Sequence, residues 1–189
     1  MSAIVGIAGP LVRGAEARAV SSMLGAMVRR GADSAAWRVV GGALLGGSRH
    51  AWEPGCRRGG SAPMALEDEL AVTADATLYY TADLERALRA RGVKPAGSSP
   101  CQLILAAYRA WGAECAAHLE GDFAFVVWDA RRRVLVAARD FGAKRPLHYA
   151  QLGSSIVLAS TIDAVRAHPA CPSVLHHAVC RRRRSPGWC

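Results

Sequence analysis

The chain has 189 residues, 51% of them hydrophobic, and a formal net charge of +9. That apolar content suffices for one buried core, and the length suits one domain or a domain with a tail. The first ten residues lack a basic leader region, Gly6, Gly9 and Pro10 interrupt the opening apolar stretch, and no run reaches the roughly 20 apolar residues of a membrane span. A soluble cytoplasmic protein with no membrane partner is therefore expected.

The six cysteines, Cys56, Cys101, Cys115, Cys171, Cys180 and Cys189, form no CxxC pair and have no regular spacing, which argues against a zinc site and a disulfide framework. His176, His177 and Cys180 are close in sequence but lie outside any periodic segment, so no metal site is expected there. Four of the excess positive charges belong to Arg181, Arg182, Arg183 and Arg184. With aromatics at only 6% and no basic-aromatic motif before this run, nucleic acid is not an expected partner beyond non-specific contact.

In chain order, "AIVGIAG" is a short β-rich apolar run ended by Pro10 and reads as a buried first strand. "AEARAVSSMLGAMVRR" then places Ala19, Met23, Met27 and Arg30 on neighbouring turns of a helix, the two methionines as core packing. "AAWRVVGGALLGG" reads as two strands around a tight Gly41-Gly42 turn, followed by a loop over 50–63. "DELAVTADATLYY" resumes strand character, and "TADLERALRARG" predicts a helix with Thr81 as its cap, an apolar stripe of Leu84, Ala87 and Leu88, and Gly92 at its end.

A loop over 92–100 leads into a helix, "CQLILAAYRAWG", and a shorter one, "AECAAHLEG". "DFAFVVWDARRRVLVAARD" is a hairpin whose tip carries Arg131, Arg132 and Arg133 as solvated charges. "IVLAS" is one more strand and "TIDAVRAHP" a closing helix that stops at Pro169. Strands and helices mix without strict alternation and with several hairpins, which predicts an α+β fold with largely antiparallel sheets.

Ser2 raises a chemical question. If Met1 is removed, its hydroxyl stands beside a free α-amine that titrates at roughly 7.7–8.0, close enough to neutral pH to act as base toward its own side chain.

The stretch "EGDFAFVVWDARRRVLVAARDFGAKRPLHYA" resembles the "GMFAFAIWD" and "LARDRFGIKPLYY" segments of the asparagine synthetase family, whose N-terminal half is a class II glutamine amidotransferase domain. "ILAAYRAWG" resembles that family's "LLHAYEEWG", "IVLASTIDAVRAHP" resembles "FASEIKALLAHP", and the likeness runs from about Ile4 to Pro169. The resemblance implies an N-terminal-nucleophile four-layer αββα sandwich with two antiparallel sheets over residues 1–170, and leaves 171–189 as a basic tail.

In that family a Cys exposed by Met removal attacks the glutamine amide. Matching Gly6, Ile7, Ala8 and Gly9 to the residues after that Cys puts Val5 at the nucleophile position, and leaves Ser2 three residues upstream, about 10 Å along an extended strand. No catalytic residue is then expected, because valine cannot attack. The family's "NGEIYN" oxyanion segment matches "DATLYY", with Asp75 for the Asn and Ala76 for the Gly, and the acid that holds the glutamine amino group falls on Pro100. A carboxylate at position 75 would repel an oxyanion. "RGAD", with Arg30, Gly31 and Asp33, resembles "RGPD", and Arg49 matches the arginine that binds the glutamine carboxylate.

These departures resemble those of β-lactam synthetases and lasso-peptide cyclases, which keep the amidotransferase half as a scaffold. "TADATLYYTADLERAL" is similar to the lasso-cyclase type. The resemblance implies a pseudo-glutaminase whose partner is a synthetase domain, acting on a peptide substrate. ATP and Mg²⁺ would belong to that domain, whose "SGGxDS" phosphate loop does not occur here, so no cofactor is expected in this chain. After about Ser173 neither periodicity persists, and "VLHHAVCRRRRSPGWC" looks like a truncated or frameshifted linker. Two other readings stay open: a glutaminase, acting through Ser2 or another group and supplying ammonia for asparagine synthesis, and a free-standing peptide- or polyanion-binding module using the arginine run.

Overall fold

The computed structural model of the chain describes residues 2–10, 16–52 and 63–172. The arginine run, the His176, His177 and Cys180 group, and Cys56, Cys180 and Cys189 lie outside the described residues.

Nine strands make two antiparallel sheets among the described residues. The first has the order β2-β3-β1-β9-β8, with β1 over Ala3–Ala8, β2 over Ser34–Val40, β3 over Ala43–Arg49, β8 over His148–Leu152 and β9 over Ser155–Ala159. The second has the order β4-β5-β6-β7, with β4 over Met64–Glu67, β5 over Leu70–Leu78, β6 over Gly121–Asp129 and β7 over Val134–Arg139. Helices α1 (Glu16–Gly25) and α4 (Ile162–Arg166) cover the first sheet, and α2 (Thr81–Ala90) and α3 (Pro100–Trp111) cover the second.

The layers follow from strand parity. β1 is central and buried along its whole length. Its odd residues Ala3, Val5 and Ile7 pack toward α1 and α4 with Val20, Met23 and Met27, while Ile4 and Ala8 turn to the second sheet and meet Val126 and Trp128. The second sheet alternates likewise: Val72, Phe125 and Val127 face α3, and Ala71, Ala124 and Val126 face the first sheet. α3 buries every residue from Leu103 to Tyr108, and each fully buried Leu or Ile contributes roughly 1.5–3 kcal/mol relative to exposure. Its start is fixed by Ser99, whose hydroxyl accepts from the Gln102 N–H while the Gln102 side chain accepts from the Ser99 N–H.

Several expectations change in detail. The first helix ends at Gly25, and a 3-10 turn over Val28–Arg30 carries the rest of the predicted stretch, because the chain must bend back to β2. Thr81 is not a cap: Tyr80 holds that position in a left-handed conformation (φ 48°) with no side-chain bond. The segment after α3 is a 3-10 helix over Gly112–His118. β4 and β8 were not expected as strands. Both are edge strands with mixed polarity, so neither shows the apolar run that marks an inner strand. The Gly41-Gly42 turn forms as read, both residues taking positive φ (48° and 94°).

No described helix is long and apolar enough to cross a membrane. Among the described residues no group of three or more His, Cys, Asp or Glu could hold a metal ion.

Candidate functional site

At the opening end of β1 the two sheets are joined by charge. The Ser2 N–H donates to Asp75 Oδ1 at 3.1 Å, with both residues buried. Asp75 Oδ2 accepts from Arg30 at 3.1 Å, and Arg145 approaches Oδ1 at 3.4 Å. Arg30 Nε also donates to the Ser2 carbonyl at 3.3 Å, and Arg145 donates to Thr77 Oγ1 at 3.1 Å. One carboxylate therefore gathers a backbone amide and two guanidinium groups in a largely dry corner, where ion pairs are screened little.

Val5, the residue matched to the family's nucleophile, lies away from this corner. Val5 and Ser2 are three residues apart, so they face opposite sides of the sheet. Val5 is fully buried in the layer under α1 and α4. Ser2, not Val5, is the β1-end residue that shares a corner with Asp75 and Arg30.

The "RGAD" residues divide three tasks. Arg30 reaches into the corner. Gly31 lies against the backbone of Ser48 and Arg49, where any Cβ would fall inside van der Waals contact. Asp33 accepts from the Ala51 N–H at 2.9 Å and its own N–H donates to the Arg49 carbonyl at 3.2 Å, which pins the chain leaving β3.

Arg49 sits at the end of β3, paired in register with Ser34 and one residue beyond Ser48, which stands opposite Ala3 in the β1–β3 ladder. Its buried Nε has no hydrogen-bond partner among the described residues, nor do Ser34 Oγ and Arg145 Nε. The N-terminus of α3 lies close by. Burial pushes the Cys101 thiol up to about 12, opposed by the Arg49 charge and a hydrogen bond to the Ala74 backbone. Pro100, next to it, brings no carboxylate to this end of α3. Ala76 lies on the other face of β5 from Asp75 and packs toward the α3 layer.

Beside the corner, Asp122 accepts from Tyr79 Oη at 3.0 Å and pairs with Lys144 at 3.0 Å. The Lys144 hydrogen bond holds the Asp122 carboxyl below its usual range, and the bond to Asp122 raises the Tyr79 phenol.

Arg145 is the site residue that the sequence reading missed. A signal was present: the family stretch quoted above runs Lys-Pro where this chain has Lys144, Arg145 and Pro146.

Two antiparallel sheets face to face, helices on both outer sides and a polar site at the start of the central first strand define a class: the αββα sandwich of N-terminal-nucleophile amidotransferases. A family model for the glutamine amidotransferase domain matches residues 1–182, and the chain belongs to that family, in its asparagine synthetase branch. It is 41% identical over 114 residues to asparagine synthetase [glutamine-hydrolyzing] 3 of Bacillus subtilis, covering 59% of this chain and 19% of that protein. It is 33% identical over 175 residues to a glutamine-hydrolysing asparagine synthetase relative of Mycobacterium tuberculosis, covering 85% of this chain and 26% of that protein. The chain thus spans about a fifth to a quarter of these curated relatives. Among solved structures, the glutamine phosphoribosylpyrophosphate amidotransferase of Bacillus subtilis superposes with a TM-score of 0.67 at 16% identity, over 87% of this chain and 43% of that one.

Proposed function

We propose that this chain is the amidotransferase part of an asparagine-synthetase-type amide-forming enzyme, and that its glutamine site is closed by ion pairs. On this reading it is a pseudo-glutaminase scaffold that packs against a synthetase domain, in cis or in trans, and that domain holds ATP and Mg²⁺. The likeness of residues 73–88 to the lasso-cyclase segment supports a peptide as substrate of the assembled enzyme.

The observation that carries the reading is the engagement of Asp75. An oxyanion hole works when hydrogen-bond donors are held ready for charge that develops in the transition state. Here the Ser2 N–H and the Arg30 and Arg145 guanidiniums are already committed to a carboxylate. The test is glutamate release from glutamine by the full chain. The expected rate is that of buffer alone, unchanged in Ser2→Ala.

A second reading, glutamine hydrolysis through Ser2, is favoured by the position of Ser2 in the same corner as Asp75. It predicts glutamate release that Ser2→Ala abolishes. Against it, an α-amine exposed by Met removal would lie at hydrogen-bond distance from a carboxylate, which favours the ammonium form and leaves less free amine to accept the hydroxyl proton.

A further inference from the structure

β7 is an edge of the second sheet, and nothing among the described residues pairs with its outer side. The ladder shows which of its backbone groups are free. The Asp140 N–H donates to the Phe123 carbonyl at 2.8 Å, and the pairing runs in step from Arg139 opposite Ala124 to Val134 opposite Asp129. Bonded and non-bonded residues alternate in an antiparallel pair, so Val134, Val136 and Ala138 direct their N–H and C=O groups to β6. Those of Leu135, Ala137 and Arg139 point outward as a row of unpaired donors and acceptors.

Two features set this edge apart. Proteins blunt open edges with charge, proline or short length, and the other edges of the two sheets follow that rule. β2 carries the exposed Arg38 within the strand, β4 has four residues and ends in Glu67, and β8 includes His148 and Gln151. β7 instead runs through five apolar residues with no proline, and none of its residues is buried. Charge lies only at its ends: Arg131 and Arg133 in the turn before it and Arg139 at its close are all exposed. None of these three forms an ion pair among the described residues, whereas Arg132 leans on Asp129 at 3.8 Å.

We propose that β7 takes an extended peptide segment as a fifth strand of this sheet, antiparallel to it, with an apolar centre and acidic residues at both ends. Main-chain hydrogen bonds to Leu135, Ala137 and Arg139 supply affinity. Carboxylates facing Arg139 at one end, and Arg131 and Arg133 at the other, supply selection. A second copy of this chain fits worse. Two β7 strands paired antiparallel in step bring Arg139 of each beside the arginine turn of the other, and like charges across a strand pair are destabilising. The edge is independent of the Ser2 corner and needs neither reading of it.

The experiment uses the full chain and the peptide Ac-EEVTVTVTEE-NH2 as probe, with Ac-KKVTVTVTKK-NH2 as its charge-reversed control. Amide hydrogen exchange, followed by NMR, reads where the peptide lies. The expected result is saturable binding with a Kd below about 1 mM and slowed exchange at Leu135, Ala137 and Arg139, while Val136 and Ala138, already bonded to β6, change little. Ala137→Pro removes an outward N–H, which an edge strand tolerates, and abolishes the protection at Leu135 and Arg139. The exposed pair Arg131→Glu and Arg139→Glu, made together, leaves the fold intact and weakens the acidic peptide at least about tenfold, as loss of charge-assisted contacts requires. No saturable binding, protection confined to other strands, equal binding of the lysine peptide, or equal affinity in the double arginine variant each overturns the proposal. So does protection of the three amides that grows with protein concentration without peptide, which would make a second copy the occupant.

Discussion

Ser2 and Asp75, 73 residues apart in sequence, meet at 3.1 Å through a backbone N–H and a carboxylate oxygen. The contact ties the start of β1 in one sheet to β5 in the other. It also turns a carboxylate that local reasoning marks as hostile to an oxyanion into the hub of a neutralising cluster with Arg30 and Arg145.

Asp75→Ala leaves two guanidiniums, each less than a fifth exposed, without their acid. Breaking one side of a buried pair typically costs about 3–5 kcal/mol, and the partial exposure of the arginines places the expected loss toward the lower end. Urea unfolding of wild type and variant measures it, and a loss under about 1 kcal/mol, the surface-pair range, would show that the cluster is idle.

If the corner is a glutamine site closed by the engagement of Asp75, supplying a nucleophile and an amide donor should reopen it. Ser2→Cys supplies a thiol and Asp75→Asn supplies an amide donor while removing the carboxylate that engages the donors. Glutamate release above the wild-type rate is expected in the double variant alone. Equal rates in all four proteins, each confirmed folded by circular dichroism, would show that the engagement of Asp75 is not what closes the site.

The buried thiols set an alkaline limit. Burial pushes Cys101 up to about 12 and Cys115 up to about 11, against about 8.5 in an unfolded chain. Folding therefore favours the protonated thiols: their contribution is fully present below about pH 8.5 and is lost as pH rises toward the folded values. Unfolding free energy should fall between pH 8 and 10.5, less steeply in Cys101→Ala. In the native state at pH 8 neither cysteine should take up iodoacetamide, as peptide mass spectrometry would read.

Gly31→Ala tests the reading of the "RGAD" glycine as a steric requirement. Its φ of 173° is ordinary extended backbone, so conformational freedom is not the reason for glycine. The added methyl would press on the Ser48 and Arg49 backbone, and overpacking of this kind costs typically about 1–3 kcal/mol. An unchanged thermal midpoint would remove the steric account.

Much of this architecture is legible in the sequence. Leu84 and Leu88 on α2, the apolar run of α3 and the Gly41-Gly42 turn carry local signals strong enough to survive tertiary context. β4 and β8 were missed because an edge strand need not be apolar, and Thr81 misled because a good capping residue does not cap when the residue before it already holds the turn. Arg145 was visible only as an extra basic residue in a quoted motif, with nothing local to say where it points.

Period, composition and motif order were sufficient for the class of fold and the family, since both depend on which residues are apolar and in what rhythm. The site was decided by tertiary structure. Strand parity turns Val5 to the helix layer and Ser2 to the corner of Asp75. Whether Asp75 stands as an isolated charge or a paired one depends on Arg30 and Arg145, which lie 45 and 70 residues away in the chain. Coulomb energy depends on distance in space, and only the packing of the two sheets sets that distance.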